Sequence, residues 1–287
     1  MKYCIGDTVV CINVEEQNLH SNFQAFRCDE SEEPQLTIDI VEEPEMTMNI
    51  QMTVGQIMLM ESEEIGVFEG AMGIDLLYPK NVQLTSIAIA KGYRSAKVYV
   101  VQDAEGKWKE ELFLALRDVI YLALEQNGRF VLDSSSLLVD GRGVILAADP
   151  NAEFAGICQG KQIGKILNDS ANIIGIYKER LYLYGTPWCS PEAVQAERAP
   201  LGGIVFLKKS DAGAVTDLPE DKRQLLMLVH CKSPFWREGL LDQCLNTIQR
   251  VEPSVWIRQL EWHADEAAAD VLKPALDTIE NDTVAEY

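Results

Sequence analysis

The chain has 287 residues, enough for one large or two modest domains, and its 47% hydrophobic and 24% charged residues are the balance of a protein that folds around a core. A formal net charge of −20 argues against nucleic acid and anionic membranes as partners and favours a basic partner surface. No apolar run approaches the roughly 18 residues of a bilayer-spanning helix, and Met1 to Asp7 lacks a signal-peptide profile, so a cytoplasmic location is expected.

Lys2–Val14 reads as a hairpin turning at Gly6-Asp7. An acidic stretch from Glu15 to Glu45 follows, with ten carboxylates against the single base Arg27; it is a solvated loop or a docking surface for a basic segment, with a strand at Leu36–Val41 inside it. Met46–Val54 alternates Met46, Met48, Ile50, Met52 and Val54 with polar residues, the pattern of a half-buried strand. Ile57–Met60, Glu64–Phe68, Ile74–Tyr78, Val82–Ala90 and Ala96–Val101 continue as short strands or turns. Glu110–Glu125 is the clearest helix: Leu112, Leu116, Val119, Ile120 and Ala123 or Leu124 share one face, and Asn127-Gly128 ends it. A domain boundary is expected just before this helix, near Trp108, giving a β-rich domain over 1–108 and an α/β domain over 109–287.

The stretch Phe130–Gly156, FVLDSSSLLVDGRGVILAADPNAEFAG, holds three apolar β runs, the last two joined by a tight turn at Asp140 to Gly143. The last strand leads through Pro150 into a helix start, the place where a nucleotide-binding protein carries its phosphate-cradling loop. Beyond it, Ala155–Leu167 reads as a helix interrupted by Gly156, Gly160 and Gly164, each costing about 1 kcal/mol against Ala. Ala171–Tyr177 and Leu181–Tyr184 form a second hairpin, and Pro200–Leu207 runs from a turn into a buried strand. Pro219–Cys231 and Phe235–Val251 read as helices, a strand reaches Trp262, and a last helix runs from His263 and Asp265 to Ile279. The tail after Glu280 is acidic. The seven cysteines are odd in number and hold no Cys-x-x-Cys pair; neither a zinc site nor a disulfide framework is expected, and apolar fillers or free thiols are the default. His20, His230 and His263 form no ligand pattern.

In this frame the chain resembles the HPr kinase/phosphorylase-like family, on the phosphoenolpyruvate-carboxykinase-like kinase fold. Members read Leu-His-(Ala/Ser)-Ser, a hairpin with a Gly turn, then Gly-x-x-Gly-x-Gly-Lys-(Ser/Thr). The resemblance places Asp133 where the family often has His. Asp149, Ala152 and Phe154 replace the three glycines, Ala155 the phosphate-binding Lys and Gly156 the magnesium-binding Ser. Ile166-Leu167-Asn168-Asp169-Ser170 resembles the family's Leu-x-Asp-Asp segment, which implies a general-base or metal-holding role for Asp169; a turn residue is the other reading. Gly185-Thr186-Pro187-Trp188 is similar to a motif that borders the family's cleft, where Trp188 would stack on a ligand or pack inside. The implied fold is α/β: a β-rich N-terminal domain beside a mixed-sheet kinase-like core with C-terminal helices.

The substitutions disfavour ATP. A phosphate cradle needs glycine so that backbone N–H groups can turn inward, and a Lys to neutralise the terminal phosphates. Here the Lys is absent and Asp149 and Glu153 are added. Each carboxylate–phosphate pair costs roughly 3 kcal/mol at about 6 Å and an effective dielectric near 20. The expectation is a binding or regulatory pseudokinase with a degenerate phosphate loop, no cofactor, no metal site, and a protein or peptide partner, possibly a basic one. The alternative is an active ATP- or pyrophosphate-dependent phosphotransferase acting on a Ser or small hydroxyl substrate. In that case Lys161 or Lys165 stands in for the Lys, Asp169 serves as base, and Asp133 with Asp149 holds the metal that accompanies ATP.

Overall fold

A computed structural model describes residues 1–43, 56–78, 80–81, 83–147, 152–210, 213–232, 236, 238–262 and 267–279. The expected strand Met46–Val54, Asp149 with Pro150 and Asn151, His263, Asp265 and the tail after Glu280 lie outside the described residues. By contact density the chain divides into one unit of residues 1–127 with 234–242, and a second of 128–233 with 243–287. The division falls on the far side of the Glu110–Glu125 helix from the boundary expected near Trp108.

The first unit is an eight-stranded sheet. Its strands are β1 (Lys2–Ile5), β2 (Thr8–Asn13), β3 (Leu36–Glu42), β4 (Ile57–Glu61), β5 (Gly66–Gly70), β6 (Gly73–Leu77), β7 (Leu84–Ala90) and β8 (Ser95–Val100), in the spatial order β1-β2-β3-β8-β7-β6-β5-β4. Gly6 and Asp7 both take positive φ, 56° and 57°, the two-residue turn whose twist suits a hairpin. The β2–β3 and β3–β8 pairs are parallel and the others antiparallel, so the sheet is mixed. Helix α1 (Trp108–Gln126) packs on β7 and β8 with Leu112, Leu116, Val119, Ile120 and Ala123 all buried. Glu110 and Glu111 complement its N-terminal dipole. It ends where the Asn127 amide donates to the Ala123 carbonyl at 3.0 Å and Gly128 turns left-handed at φ 69°.

The second unit holds β9 (Phe130–Asp133), β10 (Ser135–Val139), β11 (Arg142–Ala147), α2 (Ala152–Gly160), β12 (Lys165–Asn168), β13 (Ala171–Tyr177), β14 (Arg180–Tyr184), β15 (Arg198–Lys209), β16 (Ala214–Asp217), α3 (Glu220–Val229), most of α4 (Glu238–Val251), β17 (Trp256–Trp262) and α5 (Ala267–Leu276). The nine strands run β12-β10-β11-β15-β14-β13-β9, and β15 also pairs β17, which carries β16. The twelve-residue β15 is the spine of this sheet. Its first residues pair antiparallel with β14, and its later ones pair parallel with β11 on one side and β17 on the other.

Side-chain alternation sorts this sheet into two cores. Val144, Leu146, Val205, Trp256, Leu260 and Trp262 face α2 and α5. Ile145, Ala147, Ile204, Phe206 and Ile257 face Met227 of α3 and Cys244, Ile248 and Val251 of α4. Helices on both faces of a mixed sheet make the class α/β.

One expected element changes. The helix anticipated over Ala155–Leu167 stops at Gly160, and residues 165–168 are strand β12, paired with β10. Gln162 turns at φ 56°, and a Cβ on Gly164 would lie 2.9 Å from the Leu138 carbonyl. The chain therefore reverses at Gln162, passes Gly164 close against the Leu138 backbone, and adds a strand.

Candidate functional site

The helix that follows β11 starts at Ala152, and its residues Phe154 and Ala155 are used for packing. The side chains of Ala152 and Glu153 lie outside the described residues. Phe154 is fully buried and sits 4.9 Å, centroid to centroid, from the Trp262 ring of β17. Ala155 is equally buried, and Cys158 one turn on completes the same face. Gly156 is exposed, with open space around its Cα. The Ala155 Cβ thus points into the sheet core. A longer cationic side chain there would enter apolar packing.

Where β9, β10, β12 and β13 converge lies a polar cluster that pattern reading missed. Ser134, Ser135, Ser136, Asn168, Asn172 and Thr186 are each 0% exposed. The Asn172 amide donates to the Ser134 carbonyl at 2.5 Å and to Ser134 Oγ at 3.0 Å, while its Oδ1 accepts from Ser136 Oγ at 2.6 Å. Asn168 Oδ1 accepts the N–H groups of Ser170 and Ala171, both at 3.0 Å. Its amide donates to the Thr186 carbonyl and Oγ1, both at 3.2 Å, and Thr186 Oγ1 donates to the Ala171 carbonyl at 2.9 Å. These groups satisfy one another inside the protein, as buried polar groups must. The sequence signal was the serine triplet between two apolar runs, with Asn168 and Asn172 flanking Asp169.

Thr186 belongs to the Gly-Thr-Pro-Trp loop, which is clamped on both sides. A Cβ on Gly185 would lie 2.0 Å from the Gln195 carbonyl oxygen, so only glycine fits. Gly185 N–H donates to the Glu197 carbonyl at 3.2 Å. Pro187 is buried and Trp188 is 5% exposed, which leaves the indole packed in the protein with no open face for stacking. Cys189 donates to the Thr186 carbonyl at 3.2 Å. Burial, and then the Asp169 charge, push its thiol up to about 12, so at neutral pH it is protonated and a poor nucleophile.

Asp169 itself is occupied. One carboxylate oxygen accepts the Ser190 N–H at 3.0 Å and the other accepts the Ser190 hydroxyl, which anchors the short 3-10 turn Pro191–Ala193. Asp133, at the end of β9, pairs with Lys232 at 2.7 Å on the protein surface. Lys161 donates to Asp270 of α5 at 2.7 Å, and Lys165 to the Gln195 side chain at 3.0 Å. Arg198 lies 3.9 Å over the Tyr177 ring, and Arg198 and Lys178 together draw the Tyr177 phenol below its usual range. Among the described residues no group of three or more His, Cys, Asp and Glu side chains could hold a metal ion. The structure therefore brings Asp133, Asp169 and the Gly185–Trp188 loop around one buried polar cluster, and it directs Phe154 and Ala155 of α2 into the core.

No family model and no curated protein matches this chain. Among solved structures it is similar to the HPr(Ser) kinase/phosphatase of Coxiella burnetii, at 10% identity and a TM-score of 0.29, over 52% of this chain and 98% of that one. No described helix is long and apolar enough to cross a membrane.

Proposed function

We propose that this chain is a binding or regulatory protein on an HPr-kinase-like scaffold that has lost ATP binding and phosphoryl transfer. The observation that carries the reading is the burial of Phe154 and Ala155 at the positions that the motif frame assigns to a cradle glycine and the phosphate-binding Lys. Phosphoryl transfer is catalysed by positioning and charge neutralisation, and losing one preorganised donor alone costs about 100- to 1000-fold in rate. The two lysines that could substitute are held by Asp270 and Gln195, and the carboxylate that could act as base is held by Ser190. These contacts weigh against a rebuilt phosphotransferase cleft, and with it against magnesium as a companion of ATP. The partner fitting a net charge of −20 is a protein or peptide with a basic surface. A turnover assay tests the loss of chemistry. Incubation with magnesium and either ATP or pyrophosphate, with a Ser-containing peptide pool, is expected to release neither ADP nor phosphate above the protein-free rate. Release that disappears in Asp169→Asn would overturn the proposal.

A further inference from the structure

Two thiols outside the polar cluster stand in contact. Cys231 follows α3 and Cys244 lies on α4, and their sulfur atoms are 3.3 Å apart without a bond between them. A disulfide needs about 2.0 Å between sulfurs, so closure asks for a movement of about 1.3 Å. The two partners differ in access. Cys244 is fully buried beside Ile248, Val251 and Met227, whereas Cys231 is partly exposed. Cys231 also sits in a segment that hydrogen-bonds to β9. Lys232 N–H donates to the Val131 carbonyl at 2.8 Å, the His230 carbonyl accepts Asp133 N–H at 2.7 Å, and Cys231 bridges Leu132. This segment is an added edge on β9, and Cys231 packs against the same core cluster that holds Cys244.

We propose that Cys231 and Cys244 are a reversible oxidation site that closes to an intramolecular disulfide. The oxidant class is a peroxide. The Cys231 thiolate attacks the O–O bond, forming a sulfenic acid and releasing the other oxygen as water once protonated. The Cys244 sulfur then displaces the sulfenic oxygen, which leaves as a second water. In sum, two thiols and one hydrogen peroxide give one disulfide and two waters, with the sulfurs oxidised and the peroxide reduced. Access sets the order, since the exposed thiol meets the oxidant and the buried one resolves the intermediate. A thiol reductant reverses the bond by exchange. The closed loop fastens α4 to the edge of β9, beside the Asp133–Lys232 pair, so oxidation stiffens one border of the polar cluster. This inference is independent of whether nucleotide binds.

The test oxidises the native full chain with a few equivalents of hydrogen peroxide, blocks the remaining thiols, and maps the peptides by mass spectrometry. The expected result is a Cys231–Cys244 cross-linked peptide lighter by two hydrogens, lost on treatment with dithiothreitol, together with a rise of several degrees in Tm. The Tm rise should be absent in Cys231→Ser, which changes only the partly exposed thiol. Mapping in the unmutated protein keeps the test valid if Cys231→Ser fails to fold. Stable sulfinic acid at Cys231 with Cys244 still a thiol, or a cross-link formed only after denaturation, would overturn the proposal.

Discussion

Asn172 links Ser134, between β9 and β10, to Ser136 of β10 through three hydrogen bonds while being 0% exposed. Asn172→Ala would strand the Ser134 carbonyl in the interior and leave the Ser136 hydroxyl only its 3.5 Å contact to the Asn168 carbonyl, and a loss of about 2–3 kcal/mol is expected in urea unfolding. A loss below about 0.5 kcal/mol would mean that water reaches the cluster. Cys189 gives a chemical check on the same region. Since burial pushes its thiol far above the usual range, iodoacetamide at pH 8 should leave it unmodified in the native protein and label it once urea unfolds the chain. Asp75 on β6 gives a pH check in the first unit. Burial raises its carboxyl above the ordinary 3.8, and the Gln56 hydrogen bond opposes that only in part. A carboxyl raised on folding contributes stability that is full below its unfolded value and is lost as pH climbs through the folded one. Asp75→Asn removes this dependence, so the variant should gain on the parent protein between pH 3 and pH 7 in chemical denaturation.

At the scale of elements, what could be read in advance was whatever repeats with a period or needs a special backbone. The α1 face from Leu112 to Ala123 is buried as its spacing implies. The hairpin turns fall where expected, at Gly6-Asp7, Asp140-Gly141 and Lys178-Glu179, all with positive φ. Short or mixed segments escaped. Strand β12 is only four residues, and its Lys-Ile-Leu-Asn carries no period that separates strand from helix. Strand β16, Ala214–Asp217, is equally short and exists because β17 offers it an edge. The candidate site was half legible. The loop motif and Asp169 stood out as residue types, but the polar cluster did not, because a buried serine and a solvated one look alike in a string of letters. The α2 packing gives the test at this scale. Phe154→Ala empties the space against Trp262 and should cost about 3–5 kcal/mol. Gly185→Ala should also destabilise, since its Cβ would collide with the Gln195 backbone at 2.0 Å.

For the whole molecule, charge is the governing quantity. With 45 acidic residues against 25 Lys and Arg, self-repulsion opposes the folded state at low ionic strength. Raising sodium chloride from about 10 mM to about 500 mM shortens the screening length several-fold, and Tm should rise over that range. A fall would show that ion pairs such as Arg223–Glu252, at 3.0 Å with Glu252 buried, outweigh the repulsion. The same negative field bears on the central claim, because a triphosphate would have to approach it without a lysine at the head of α2. The most direct measurement is isothermal titration calorimetry of the full chain with magnesium–ATP up to millimolar concentration. No saturable heat is predicted. A saturable isotherm with one site per chain, weakened by a mutation in the first turn of α2, would contradict the account.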